Sequence, residues 1–167
     1  MRKIAYYILT LSMFPISTTV IAQTAHKTEQ KGKVKPYHPE ENAQQKIDLL
    51  VKKAAKEKKN IILQAGGNWC GWCLLFNEFK ENTAEVKKAL NTGFLYYHLN
   101  YSPENKNEAV FKKYAPEGHK LGYPFFIVLN SKGEVIKLQE SGSLEQGKGY
   151  NKEKVLKFLE SVSPSKK

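Results

Sequence analysis

The chain is 167 residues long, carries a formal net charge of +11, and is 41% aliphatic, aromatic and cysteine residues. That length suits one globular domain plus an appendage, and the apolar content excludes disorder throughout. Arg2 is the sole arginine, and the lysines are interleaved with Glu on expected helix faces. A nucleic-acid reader would lean on Arg for bidentate contacts, so the basic surface is read as solvated and biased towards acidic partners, with no nucleic acid.

In chain order, Arg2 and Lys3 precede an apolar run from Ile4 to Ile16, then a smaller, more polar stretch to Ala22. Val20 and Ala22 stand three residues and one residue before a cut at Gln23, the layout of a secretory signal peptide. A membrane span needs ~20 apolar residues. Pro15 and the Ser17-Thr18-Thr19 cluster interrupt this run early, so residues 1–22 are expected to be cleaved rather than kept as a permanent anchor. A periplasmic or secreted location follows, and the charge falls to +9 as Arg2 and Lys3 leave. Residues 23–38 read as a polar linker, with an edge strand expected around Val34 to Tyr37.

Residues 39–163 carry the periodic pattern of a folded domain, and 164–167 form a tail. Pro39, Glu40 and Glu41 open a helix in which Ile47, Leu50, Val51 and Ala54 recur at helical spacing. Ile61-Ile62-Leu63 is a continuous apolar run, as in a strand covered on both faces. It leads through Ala65-Gly66-Gly67-Asn68 into Trp69-Cys70-Gly71-Trp72-Cys73 and a helix holding Leu74, Leu75, Phe76 and Phe79. Thr83 caps a further helical piece that ends at Gly93, and Phe94 to Leu99 form an aromatic-rich strand. Ser102-Pro103-Glu104 are expected to start the next helix, with Val110, Phe111 and Tyr114 on its apolar side and Pro116 as its stop. Phe125 to Leu129 is the strongest strand signal, and the turn 130–133 joins it to a strand with Val135, Ile136 and Leu138. After a Gly-rich loop through Gly142, Gly147 and Gly149, Asn151 caps a last helix. A strand–helix–strand unit followed by a hairpin and a helix implies a mixed sheet covered on both faces.

The chain holds two cysteines, Cys70 and Cys73. A two-residue gap closes almost no loop, so a bridge there constrains the unfolded chain little, and chemistry explains the pair better than stability. Structural zinc needs two more Cys or His at suitable spacing, which His26, His38, His98 and His119 do not supply, and haem attachment would need His where Leu74 stands. A redox pair remains, with no metal and no cofactor expected. Cys70 lies between a buried strand and the first turn of a helix, where free backbone N–H groups favour the thiolate. Cys73 sits one turn on, on the same side. Cys70 is therefore the expected nucleophile and Cys73 the resolving thiol.

From about residue 40 to 162 the chain resembles the thioredoxin family. Residues 61–73 look like that family's strand and active-site turn, Gly122-Tyr123-Pro124 like its cis-proline loop, and Lys132-Gly133-Glu134-Val135 like its hairpin. The resemblance implies an α/β fold, a three-layer α/β/α sandwich with a central mixed sheet. It also implies a cis Tyr123–Pro124 bond beside the cysteines that leaves backbone groups free for an extended substrate, with Trp69, Gly71, Trp72, Tyr123 and Pro124 shaping the site. Thiol–disulfide exchange on exported proteins follows, with a membrane or periplasmic redox partner, as reductase or isomerase in preference to oxidase. Trp72 stands where reducing thioredoxins usually carry Pro and isomerases His. Gln64 replaces a buried acid, and His98-Leu99-Asn100 stands where Lys-Leu-Asn is frequent. Gln64 and His98 are thus candidates for a proton relay to Cys73, against the plainer reading of a strand histidine satisfied by hydrogen bonds. A different class stays open: a binding module with a permanently closed Cys70–Cys73 bridge.

Overall fold

The computed structural model describes residues 35–164; the expected signal segment, most of the linker and residues 165–167 lie outside it. Five α-helices and a four-stranded sheet alternate along the chain. Helix α1 (Ala43–Glu57) precedes β1 (Asn60–Gly66), and α2 (Gly71–Asn82) and α3 (Ala84–Gly93) precede β2 (Phe94–Asn100). Helix α4 (Glu108–Tyr114) and a 3-10 turn (Gly118–Leu121) lead to the hairpin β3 (Phe125–Leu129) and β4 (Val135–Glu140). A small ribbon, β5 (Glu145–Gln146) and β6 (Gly149–Tyr150), precedes α5 (Lys152–Ser161).

The sheet order is β2-β1-β3-β4, with β1 parallel to β2 and the other pairs antiparallel. Every residue of β1 and β3 is buried, as continuous apolar runs require when both faces are covered. Alternation divides them. Ile61, Leu63 and Ala65 face α1 and α4 with Phe125 and Ile127, whereas Ile62 packs with Phe126 and Val128 against α2, α3 and α5. The result is the expected three-layer α/β/α arrangement. Gln64 and Gly66 share the parity of Ile62, so β1 brings both to the face that α2 covers.

Three boundaries differ from expectation. Residues 39–40 form a turn, and α1 begins after Asn42, whose side-chain oxygen accepts from the Gln45 N–H at 3.0 Å. An Asx cap satisfies an orphan donor of the first turn, which the Pro-Glu-Glu run cannot. Ser102, Pro103 and Glu104 start no helix. The segment before α4 is a loop whose backbone is satisfied by asparagines: Asn100 Nδ2 donates to Asn105 O, Asn107 Nδ2 to Asn100 O, and Asn105 Nδ2 to Pro39 O. Local side-chain bonds of this kind compete with helix formation. The expected edge strand is absent over its described residues, Lys35 to Tyr37. Both polar backbone groups of Tyr37 are taken by one side chain, since its N–H donates to Asn68 Oδ1 at 3.2 Å and its carbonyl accepts from Asn68 Nδ2 at 2.7 Å.

Candidate active site

The sheet delivers the end of β1 to the start of α2, and the cysteine pair sits at that junction. Cys70 is the N-cap of α2 in extended conformation, and its Sγ accepts the Cys73 N–H at 3.1 Å. A sulfur in this position receives one of the unpaired donors of the first turn and faces the positive end of the helix dipole. Cys73, one turn on, is joined to it as a disulfide with an S–S distance of 2.07 Å. Cys70 keeps 6% of its surface open and Cys73 none. Cys70 is thus the sulfur of the pair that reaches the surface, and Cys73 is the enclosed one.

Aromatic side chains ring this opening. Trp69 is 56% exposed, donates its Nε1–H to Tyr101 O, and meets Tyr123 edge-on at 5.5 Å. Trp72 stands edge-on to Tyr150 at 5.7 Å, and the Tyr150 hydroxyl donates to the Trp72 carbonyl. Trp72 is half-covered by the small ribbon and half open. Gly71 is exposed, with free space where a side chain would project. The Tyr123–Pro124 bond is cis, and Tyr123 packs on the buried cluster of Tyr37, Cys70 and Cys73 while stacking on Tyr101. Burial pushes its phenol up to about 12. A cleft of about 770 Å³ opens beside Trp69, with Lys35, Lys106 and Glu104 among its walls.

The two relay candidates pair in register across β1 and β2, and the hydrogen bonds of both side chains go to groups other than Cys73 Sγ. Gln64 is fully buried; its Nε2 donates to the Cys73 carbonyl at 3.0 Å and its Oε1 accepts from the Tyr96 hydroxyl at 2.6 Å. It fixes the backbone of α2 at Cys73 and does not titrate. His98 Nε2 pairs with Asn77 Oδ1 at 3.1 Å, and its ring meets Tyr37 and Tyr96 edge-on. Desolvation, helped by the Lys80 ammonium, lowers its pKa to about 3, so the imidazole carries no extra proton near neutrality. The Asn77 contact is the kind the plainer reading expects of a strand histidine.

Two site residues escaped the sequence reading. Tyr37 lies in the segment read as linker, its only signal being an aromatic in a polar stretch, yet it is 1% exposed against the cysteines. Gly66 lies under the disulfide: a Cβ there would collide with Cys73 Sγ and stand 2.8 Å from the Tyr37 hydroxyl oxygen. Among the described residues no cluster of His, Cys, Asp and Glu could hold a metal ion, and no helix is long and apolar enough to cross a membrane.

A sandwich of this topology with a Cys-x-x-Cys disulfide at a helix N-terminus beside a cis-proline defines a thioredoxin-like protein. The sequence model of the thioredoxin-like family matches residues 42–131, more than half of the chain, and the chain belongs to that family. Among solved structures it is similar to a disulphide isomerase from Xylella fastidiosa Temecula1, with a TM-score of 0.66 and 18% identity over 76% of this chain and 95% of that one. No curated protein matches. The family and the closed pair together support thiol–disulfide oxidoreductase chemistry.

Proposed function

We propose that the protein exchanges disulfides in exported proteins, as a reductase or isomerase, with Cys70 as nucleophile and Cys73 as resolving thiol. The observation that carries this reading is the asymmetry of the pair: Cys70 caps the helix at the surface opening, and Cys73 is wholly enclosed behind it. In the reducing direction the Cys70 thiolate attacks a substrate disulfide, forming a mixed disulfide and releasing one substrate thiolate. The Cys73 thiolate then attacks Cys70 Sγ. This closes the Cys70–Cys73 bond and releases the second substrate thiolate, so two electrons pass from the dithiol to the substrate. An external dithiol donor must restore the reduced pair, which is the role assigned to a periplasmic or membrane redox partner.

Trp69, Trp72 and Tyr123 form the apolar rim a substrate peptide would meet, and the backbone beside Pro124 is suited to pair with it in extended form. The name of the Xylella fastidiosa neighbour, a disulphide isomerase, favours rearrangement over oxidation. Export rests on residues 1–22, which lie outside the described structure.

The test is dithiothreitol-driven reduction of a protein disulfide by the mature domain. Wild type should turn over and Cys70→Ser should be inactive. Reduced and then freed of dithiothreitol, Cys73→Ser should accumulate a mixed disulfide with the substrate through Cys70, because no second thiol resolves it. Absence of turnover in a wild-type protein whose pair does reduce would instead identify a binding module. The reduction potential divides the remaining directions: ~−270 mV marks a reductant, whereas ~−120 to −180 mV marks an oxidase or isomerase.

A further inference from the structure

Breaking the Cys70–Cys73 bond leaves charge on a sulfur that has no access to water. When a substrate thiolate attacks Cys70 Sγ, a new S–S bond forms to Cys70 and the electron pair of the old bond departs on Cys73 Sγ. Cys73 is 0% exposed, and an unpaired charge there is strongly disfavoured unless a hydrogen-bond donor meets it. Cys70 has such a donor in the Cys73 N–H. That N–H does not serve Cys73's own sulfur.

Beside that sulfur lies the one buried side-chain polar atom, among the described residues, that has no hydrogen-bond partner: the Tyr37 hydroxyl. Tyr37 is 1% exposed and shares a closed cluster with both cysteines. Its hydroxyl and Cys73 Sγ close on the same spot, the place where a side chain at Gly66 would stand, and Gly66 leaves that spot empty. The other polar neighbour, Gln64, lies beside the Tyr37 phenol and offsets part of its upward shift, but the hydrogen bonds it makes go to the Cys73 carbonyl and the Tyr96 hydroxyl. A buried hydroxyl without a partner costs the folded protein free energy, so its retention calls for a state in which it is paired.

We propose that the Tyr37 hydroxyl is a catalytic hydrogen-bond donor that engages Cys73 Sγ whenever that sulfur becomes a thiolate. The same bond serves both directions: it stabilises Cys73 as leaving group when the disulfide opens and as attacking thiolate when the mixed disulfide is resolved. Tyr37 keeps its proton throughout, because burial raises its phenol well above the ordinary value and makes it a donor rather than a base. The titratable groups that face it are neutral at physiological pH: His98 of β2 across 5.1 Å, Tyr96 of the same strand, Tyr123 of the cis-proline loop and Tyr150 of β6. A charged pair of α2, Lys80 and Glu81, acts on His98 and Tyr96. The donor rests on the proposed exchange chemistry, but its test does not need turnover.

In a Cys70→Ser protein, Cys73 is the only thiol, and its ionisation can be followed by thiolate ultraviolet absorbance against pH. Adding Tyr37→Phe should lower the Cys73 acid dissociation constant about tenfold, which is one pKa unit upward. In the two-cysteine protein the same substitution should slow disulfide opening by dithiothreitol about tenfold. The oxidised variant should unfold at the same temperature as wild type or higher, since it loses only an unpaired hydroxyl. Cys73 acidity and opening rate both within twofold of the parent would overturn the proposal, even in an enzyme that turns over. If Tyr37→Phe does not fold, the wild-type protein decides. Its Tyr37 Cζ carbon resonance should shift on reduction and titrate together with Cys73, and a resonance that stays fixed overturns the proposal equally.

Discussion

His98 is an imidazole enclosed by two tyrosine rings and one asparagine, and its surroundings decide when it can charge. In an unfolded chain a histidine binds its proton near pH ~6.5. In the folded protein, burial first and the nearby Lys80 second lower the pKa of His98 to about 3. Between those values the unfolded chain holds more protons than the folded one, so stability rises with pH across the window. The contribution is complete above pH ~6.5 and is lost progressively as pH falls towards 3, by up to ~1.4 kcal/mol for each pH unit. Urea unfolding between pH ~6.5 and ~5 stays above the carboxylate range and isolates this group. The wild-type midpoint should fall across that interval, and His98→Gln should flatten the fall. An equal slope in both proteins would mean that His98 charges freely in the folded state.

Helix α1 ends on Lys58, which takes the left-handed conformation at φ 56° and donates its N–H to Ala54 O. That closing turn is the one glycine serves most readily, because a Cβ there costs ~1–2 kcal/mol, against ~0.5–1 kcal/mol of extra backbone entropy lost by glycine. Lys58 is exposed, so little packing is at stake. Lys58→Gly should therefore raise the stability by about 0.5–1 kcal/mol in denaturant titration with no effect on exchange rates. A destabilised variant would show that the lysine stem contributes more than its backbone costs. The same scale shows what can be read from local sequence. Strands β1 and β3 were legible because burial on both faces writes itself as unbroken apolar runs, and α5 because Asn151 caps it as expected. The segment before α4 was misread because its Ser-Pro-Glu start signal loses to a long-range anchor, Asn105 on the Pro39 carbonyl, that no local pattern records. The candidate site divides in the same way. Cys70 and Cys73 are neighbours in the chain and were visible as a motif, whereas Tyr37 reaches them only through Asn68 and the fold.

At the scale of the whole molecule, 27 basic side chains against 16 acids give a field that acts beyond any single contact. Lys35 and Lys106 line the cleft beside Trp69, the residue that precedes Cys70, so part of that field lies on the flank of the site, with Glu104 as a local counterweight. A positive field concentrates anionic reactants near the site and raises their encounter rate, and salt removes the effect as the screening length falls from ~30 Å at 0.01 M to ~8 Å at 0.15 M. Two small thiols separate this field from ordinary reactivity: glutathione, whose attacking thiolate form is strongly anionic, and cysteamine, whose thiolate is balanced by its own ammonium. The rate constant for opening the Cys70–Cys73 bond by glutathione should fall several-fold over that salt range, while the constant for cysteamine stays nearly level. Such a difference would make acidic segments around a substrate disulfide the preferred point of attack. Parallel behaviour of the two thiols would mean that the lysines cancel locally and serve solubility alone, leaving the aromatic rim of Trp69, Trp72 and Tyr123 to select the substrate.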